Sequence, residues 1–356
     1  MLTANIRPRS SRPWWAGLLE LVAAVGAGLA LPAVLQAQAA LAPYDPGTRV
    51  IQPRIFAEGT ISTDLDESGG AFSQDGKDFY FTVIAPYTTA PRFGMICVSH
   101  FKDGRWQKPE TVSFSGQYLD FGPRLSVDGK KLYFTSVRPT LQSKTLRYRI
   151  WVAERSGAGW SEPTPVPAPI NQENSHSVDA SVSADGDIYF ASDRDDPAHH
   201  LHIFHSRMVD GRLQEPEKLG PEINSDFIES APAISPDGKI LVFASNAAEA
   251  PEHRRPQDLI AGGKPYPRQD LYVSVNRNGH WTPARHLEHG INSFAEEVYP
   301  SFTPDGKFLF WGSERSSFDI PTRPLKRAAI EKLWPGTLNG RGNIYFISLE
   351  ALEAQK

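Results

Sequence analysis

Glu229-Ser230-Ala231-Pro232-Ala233-Ile234-Ser235-Pro236-Asp237-Gly238-Lys239, continuing as Ile240-Leu241-Val242-Phe243-Ala244-Ser245, holds the reading of the whole chain. Asp-Gly between two apolar runs is a hairpin signal, because the tight turn needs positive φ and glycine supplies it without strain. The same unit is written four more times. Its turns are Ser73-Gln74-Asp75-Gly76, Ser126-Val127-Asp128-Gly129, Ser183-Ala184-Asp185-Gly186 and Thr303-Pro304-Asp305-Gly306. Each is followed by an aromatic-rich run such as Phe79-Tyr80-Phe81 or Phe308-Leu309-Phe310. The Asp-to-Asp spacings are 53, 57, 52 and 68 residues. A strand-rich period of this size predicts a β-propeller.

Outward from each Asp-Gly turn lies a third strand: Met95–His100, Ile150–Glu154, His202–Arg207 and Leu271–Val275. A second turn then leads to a fourth, which carries Trp106 and Pro109, Trp160 and Pro163, Leu213 and Pro216, or Trp281 and Pro283. Proline lacks an N–H and belongs on an edge strand, so this fourth strand is the outer one. The last repeat has strands near Pro300–Thr303, Phe308–Gly312 and Asn343–Leu349 but no fourth. Pro53–Ile61 supplies the match, since Ile61 precedes Glu67 by the same six residues that separate Ile223 from Glu229 and Ile291 from Glu297. The expectation is an all-β, five-bladed propeller of four-stranded blades over 53–350, closed by an N-terminal strand that completes the last blade.

Composition fits this reading. Of 356 residues, 30 are proline and 28 glycine, as a turn-rich β protein needs. A net charge of −4 gives no nucleic-acid footprint. Cys97 is the only cysteine, which excludes an intramolecular disulfide and reads as a small buried hydrophobe. Residues 1–39 have another character. Arg7, Arg9 and Arg12 precede an apolar run from Trp14 to Val34, and Ala37-Gln38-Ala39 offers a cleavage site. This is the pattern of a secretory signal peptide, with an uncleaved membrane anchor as the alternative. Residues 40–52 read as a linker and 351–356 as a tail. The expected location is periplasmic or secreted, as a monomer.

Propeller topology puts the second-to-third loops and the linkers between blades on one face. The loops Ile84–Gly94, Asn246–Gln269 and Ser316–Gly342 are long, so function is expected on that face. Six residues before the hydroxyl of each Asp-Gly turn stand Glu67, Asp120, Ser177, Glu229 and Glu297, with His176 beside the exception. Pseudo-symmetry makes them a ring at the channel mouth. Asp179 and Tyr299 share a deeper register, and Arg138, Arg194 and Arg315 close the second strands. Three readings stay open. The acids pair with arginines and hold the ring together; they bind a divalent cation or a basic peptide; or they catalyse glycoside cleavage as a carboxylate pair. His199, His200, His202 and His205 read as solvated loop and strand histidines on separate faces.

The Glu229–Lys239 unit and its counterpart Glu297-Val298-Tyr299-Pro300-Ser301-Phe302-Thr303-Pro304-Asp305-Gly306-Lys307 resemble the repeat of TolB-like β-propellers, and the resemblance runs over all five blades. It implies an exported protein that binds other proteins or envelope polymers such as polysaccharides; no cofactor is expected unless the acidic mouth holds a divalent cation. The chain departs from TolB in lacking an α/β domain ahead of the propeller and in showing five repeats where TolB has six blades. No peptidase domain follows the propeller. Related lyases hold a metal on histidines at the channel mouth, where this chain has only His176. The two functional expectations are therefore a binding module and a carbohydrate-active hydrolase or lyase.

Overall fold

The computed structural model describes residues 41–85, 93–140, 146–157, 159–247, 268–317 and 326–353. Leu41–Lys356 forms one compact unit, and the segment expected to be a signal or anchor lies outside the described residues, as do residues 86–92, 248–267 and 318–325 of the three long loops. Among the described residues no helix is long and apolar enough to cross a membrane.

The five blades are present. Their inner strands are Asp66–Phe72, Asp120–Leu125, Ser177–Val182, Glu229–Ile234 and Glu297–Phe302. The second strands are Asp78–Ile84, Lys131–Ser136, Ile188–Ser192, Ile240–Ser245 and Phe308–Ser313. The third are Gly94–Lys102, Arg149–Ser156, His202–Ser206, Asp270–Arg277 and Asn343–Ser348. Neighbouring strands in each blade are antiparallel. The outer strand of blades 1, 2 and 4 is broken in two, with Pro109, Pro163 and Pro283 in the break. In the fifth blade Arg54–Ile55 pairs with Asn343–Ser348, Arg54 opposite Phe346, so the ring closes as the sequence predicts.

The turns explain themselves locally. Ser73 Oγ donates to Asp75 Oδ1 at 2.7 Å and accepts the Asp78 amide at 2.9 Å, while Gly76 donates to the Ser73 carbonyl. Ser126, Ser235 and Thr303 make the same bond to Asp128, Asp237 and Asp305. The glycine takes positive φ in all five copies, between 67° and 86°. Packing of the second-strand aromatics between blades supplies the core. Phe56 bridges the seam: it meets Phe72 and Phe79 of blade 1 and Phe310 and Phe346 of blade 5 at 5.0–6.0 Å.

The segments read from sequence as linker and tail pack against the blades. The linker region is packed, not free: Tyr44 and Val50 are buried, and Val50 N–H donates to Ser348 Oγ at 2.7 Å. The tail region begins inside a short helix, Leu349–Glu353, which buries Leu352. Both segments carry one or two large apolar side chains that find a blade to cover.

Candidate functional site

The regular carboxylates sit at the inner-strand ends and turn into the blades. Glu67, Asp120, Glu229 and Glu297 are 0–1% exposed. Each ties the linker that precedes its strand. Ser225 donates its amide and hydroxyl to the two oxygens of Glu229, at 3.2 and 2.6 Å, and Ser293 does the same for Glu297 at 3.1 and 2.6 Å. Thr63 holds Glu67 by the same pair of groups. Asp120 takes Ser115 and Ser136 hydroxyls and the Arg138 guanidinium. In blade 3, Ser177 replaces the acid and donates to the Ile170 carbonyl. Burial pushes Glu67 and Glu297 up to about 7, against the Ser, Thr, Asn and Arg donors around them.

The three arginines complete the same ties. Arg138 bonds the Phe114 carbonyl, Arg194 the Pro169 and Ile170 carbonyls, and Arg315 the Ile291 carbonyl. Their guanidinium groups lie over aromatic rings, Arg194 at 4.9 Å from the Phe190 centroid and Arg315 at 4.7 Å from Tyr345. The arrangement joins linker, inner strand and second strand in blades 2, 3 and 5. The histidines of blade 3 face carboxylates: His202, buried rather than solvated, faces Glu229 and shares Asp196 with His200, while His205 faces Asp187 and His199 faces Asp193. Among the described residues no group of three His, Cys, Asp or Glu could hold a metal ion.

Two residues deeper, the channel has a different chemistry. Every inner strand carries a bulge at Gly69, Gly122, Asp179, Ala231 or Tyr299, and all five have φ between 47° and 63°. Three of the five pay the left-handed strain without glycine, Asp179, Ala231 and Tyr299. The bulge amides reach the neighbouring blade: Gly122 donates to Thr82, Asp179 to Thr135, and Ala231 to Asp179 Oδ2 at 3.3 Å. The two glycines make room for the two large side chains. A Cβ on Gly69 would lie 3.2 Å from Tyr299 Cβ, and one on Gly122 3.2 Å from Asp179 Oδ1.

Asp179 Oδ1 is buried with no hydrogen-bond partner. Burial raises its carboxyl to about 6, although Arg124 opposes the shift. Arg124, which inner-strand register reasoning passed over, is itself buried in the channel. It donates to the carbonyls of Pro300 at 2.7 Å, Pro123 at 2.9 Å and Gly70 at 3.4 Å, spanning blades 5, 2 and 1, and desolvation lowers it to about 10.

Above this plug opens a cavity of about 190 Å³, lined by Asp66, Ser68, Gln269, Glu296, Tyr299 and Glu314 among others. Ser68 Oγ is buried there without a partner. From the cavity an aromatic line crosses the mouth: Tyr299 to Phe121 at 6.1 Å, Phe121 to Tyr148 at 5.9 Å, and Tyr148 to His176 at 5.2 Å between ring centroids. Tyr148 is 36% exposed. Of the residues singled out from sequence, Asp179, Tyr299 and His176 thus lie along this mouth, while the four regular acids and the three arginines are engaged inside blades. Phe121, Arg124, Arg147 and Tyr148 join it unannounced.

No protein-family model matches the chain, and no curated protein matches it. Solved structures with a similar course include a protein of Agrobacterium tumefaciens described as TolB, 14% identical over 80% of this chain and 91% of that one, with a TM-score of 0.45. An arabinanase of Bacillus subtilis is 11% identical over 82% of this chain and 96% of that one, TM-score 0.47. A thermostable family-43 glycoside hydrolase is 14% identical over 82% and 92%, TM-score 0.48. At such identity the likeness is one of fold alone.

Proposed function

We propose that this chain is an exported binding module that holds a polysaccharide of the cell envelope across the channel mouth. The observation that carries the reading is the aromatic line from Tyr299 through Phe121 to Tyr148, ending at a polar cavity. Sugar rings present C–H faces to aromatic rings and hydroxyls to carboxylates, amides and serines. A mouth in which Tyr299 shares a cavity with Asp66, Ser68, Gln269 and Glu314, and from which Phe121 and Tyr148 continue the line of rings, offers both, and a few fixed polar groups beside the rings give orientation. The apolar leader at residues 14–34 supports export. Calorimetric titration of the protein with cell-wall and pectic oligosaccharides tests the reading. Binding weakened about tenfold by Tyr148→Ala is the expected result, in keeping with an aromatic contact of about 1 kcal/mol plus its buried area. Absence of binding to every glycan overturns it.

A hydrolase or lyase on the same glycan is favoured by one observation, the Asp179 carboxyl raised to about 6 with an oxygen left unbonded. A proton donor needs such a carboxyl, and cleavage also needs a second group of different pKa. Asp66, Glu296 and Glu314 supply carboxylates on the other side of the mouth. Turnover abolished by Asp179→Asn in a folded protein supports this reading; binding without turnover leaves the module reading in place.

A further inference from the structure

At the outer end of the aromatic line, two hydrogen-bond donors face each other. The Tyr148 amide donates to His176 Nδ1 at 3.1 Å, so that nitrogen carries the lone pair. In a neutral imidazole the proton is then on Nε2. Nε2 lies 3.4 Å from Arg147 Nη1, which can only donate. Burial and the nearby Arg147 cation lower His176 from its ordinary value, with Asp193 opposing, so the ring is neutral at pH 7. Arg147 Nε is buried with no partner at all. The carboxylate behind the ring, Asp193, is taken by the His176 amide and by His199. Arg149, next along the strand, spends its guanidinium on the Gln172 and Glu173 carbonyls.

Two donors in contact are satisfied only by an acceptor between or beside them, and the guanidinium fork suits a planar oxyanion. From this juxtaposition we infer that Arg147 and His176 form an anion subsite, which receives the carboxylate or sulfate of an acidic sugar whose ring lies on Tyr148. The inference rests on the glycan reading above and narrows it: the polymer is acidic. The neutral tautomer of His176 serves the role, because its single Nε2 proton points at the ligand while Nδ1 stays fixed by the backbone.

The test compares three probes on the intact protein by calorimetry: a uronate oligosaccharide, its carboxyl-reduced counterpart and a sulfated oligosaccharide of the same length. Inorganic sulfate is titrated separately while the His176 and Arg147 side-chain nitrogen resonances are followed by NMR. The expected result is an acidic probe bound about tenfold more tightly than the neutral one, an advantage lost in Arg147→Gln and in His176→Phe with the melting temperature checked for each. The tighter of the two acidic probes assigns carboxylate or sulfate as the natural group. Equal binding of neutral and acidic probes, or an advantage untouched by Arg147→Gln, overturns the subsite and leaves glycan binding standing. Should no glycan bind, the glycan reading falls, and the sulfate titration decides the subsite by itself: unmoved resonances overturn it.

Discussion

Arg138 reaches back eighteen residues to Asp120, its Nη2 2.7 Å from Oδ2, and both side chains are sealed from solvent, 8% and 0% exposed. The pair fastens the second strand of blade 2 to the start of its inner strand and, through the Phe114 carbonyl, to the linker from blade 1. Truncating one partner strands a buried charge, which costs far more than the pair contributes. Arg138→Ala is expected to destabilise the protein by about 3–5 kcal/mol. Urea melts of the variant check this, and a loss under about 1 kcal/mol would show that water reaches Asp120.

Glu67 and Glu297 give the protein a pH signature. Burial holds both near 7, above their ordinary 4.5. The folded chain therefore keeps protons that the unfolded chain has released. Their contribution to stability is whole below about pH 4.5 and is lost as the pH rises through about 7. Glu297→Gln cannot ionise, so its stability is expected to fall less steeply than wild type between pH 4.5 and 7. Denaturant midpoints across that range decide it. A uniform loss at every pH would mean that Ser293 and Ser313 keep the carboxylate charged.

Phe56 joins the first and last blades through ring contacts on both sides. Phe56→Ala is expected to cost about 3–5 kcal/mol, the usual range for a buried aromatic emptied to alanine. Hydrogen exchange should show the loss concentrated in the amides of Asn343–Ser348.

Gly69→Ala tests the channel mouth without touching a ligand group. The alanine would sit at φ +60° with its Cβ 3.2 Å from Tyr299. Left-handed strain costs about 1–2 kcal/mol, and Tyr299 must shift. Reduced glycan affinity beside that modest stability loss is the expected outcome; unchanged affinity would remove Tyr299 from the site.

The blade plan could be read from the chain because its signals are local. A serine, an aspartate and a positive-φ glycine specify each turn by their own hydrogen bonds. The four-residue spacing from Ser or Thr to Glu, as in Ser225 to Glu229 and Ser293 to Glu297, is equally local, and it carries the reason those acids face inward. The mouth was only partly legible. Asp179 and Tyr299 could be placed by register, but their left-handed backbone and the unbonded Asp179 oxygen depend on neighbouring blades. Arg124 and Phe121 lie on an inner strand between residues of interest and carry no repeat signal. Arg147 and Tyr148 matter only because blade 3 brings His176 against them.

The pairing of Arg54 with Phe346 and of Ile55 with Tyr345 makes the fifth blade a seam between distant parts of the chain. Four blades can assemble from consecutive sequence, each soon after it is synthesised, whereas the fifth waits for Asn343–Ser348. Bringing ends so far apart together is the most non-local step of the assembly, and such steps are slow. Timing, more than strength, is what the short N-terminal strand governs. Moving the break to the linker between blades 2 and 3 would make that blade contiguous and let the circle be sealed elsewhere, because no blade but the one at the seam is built from both sides of it.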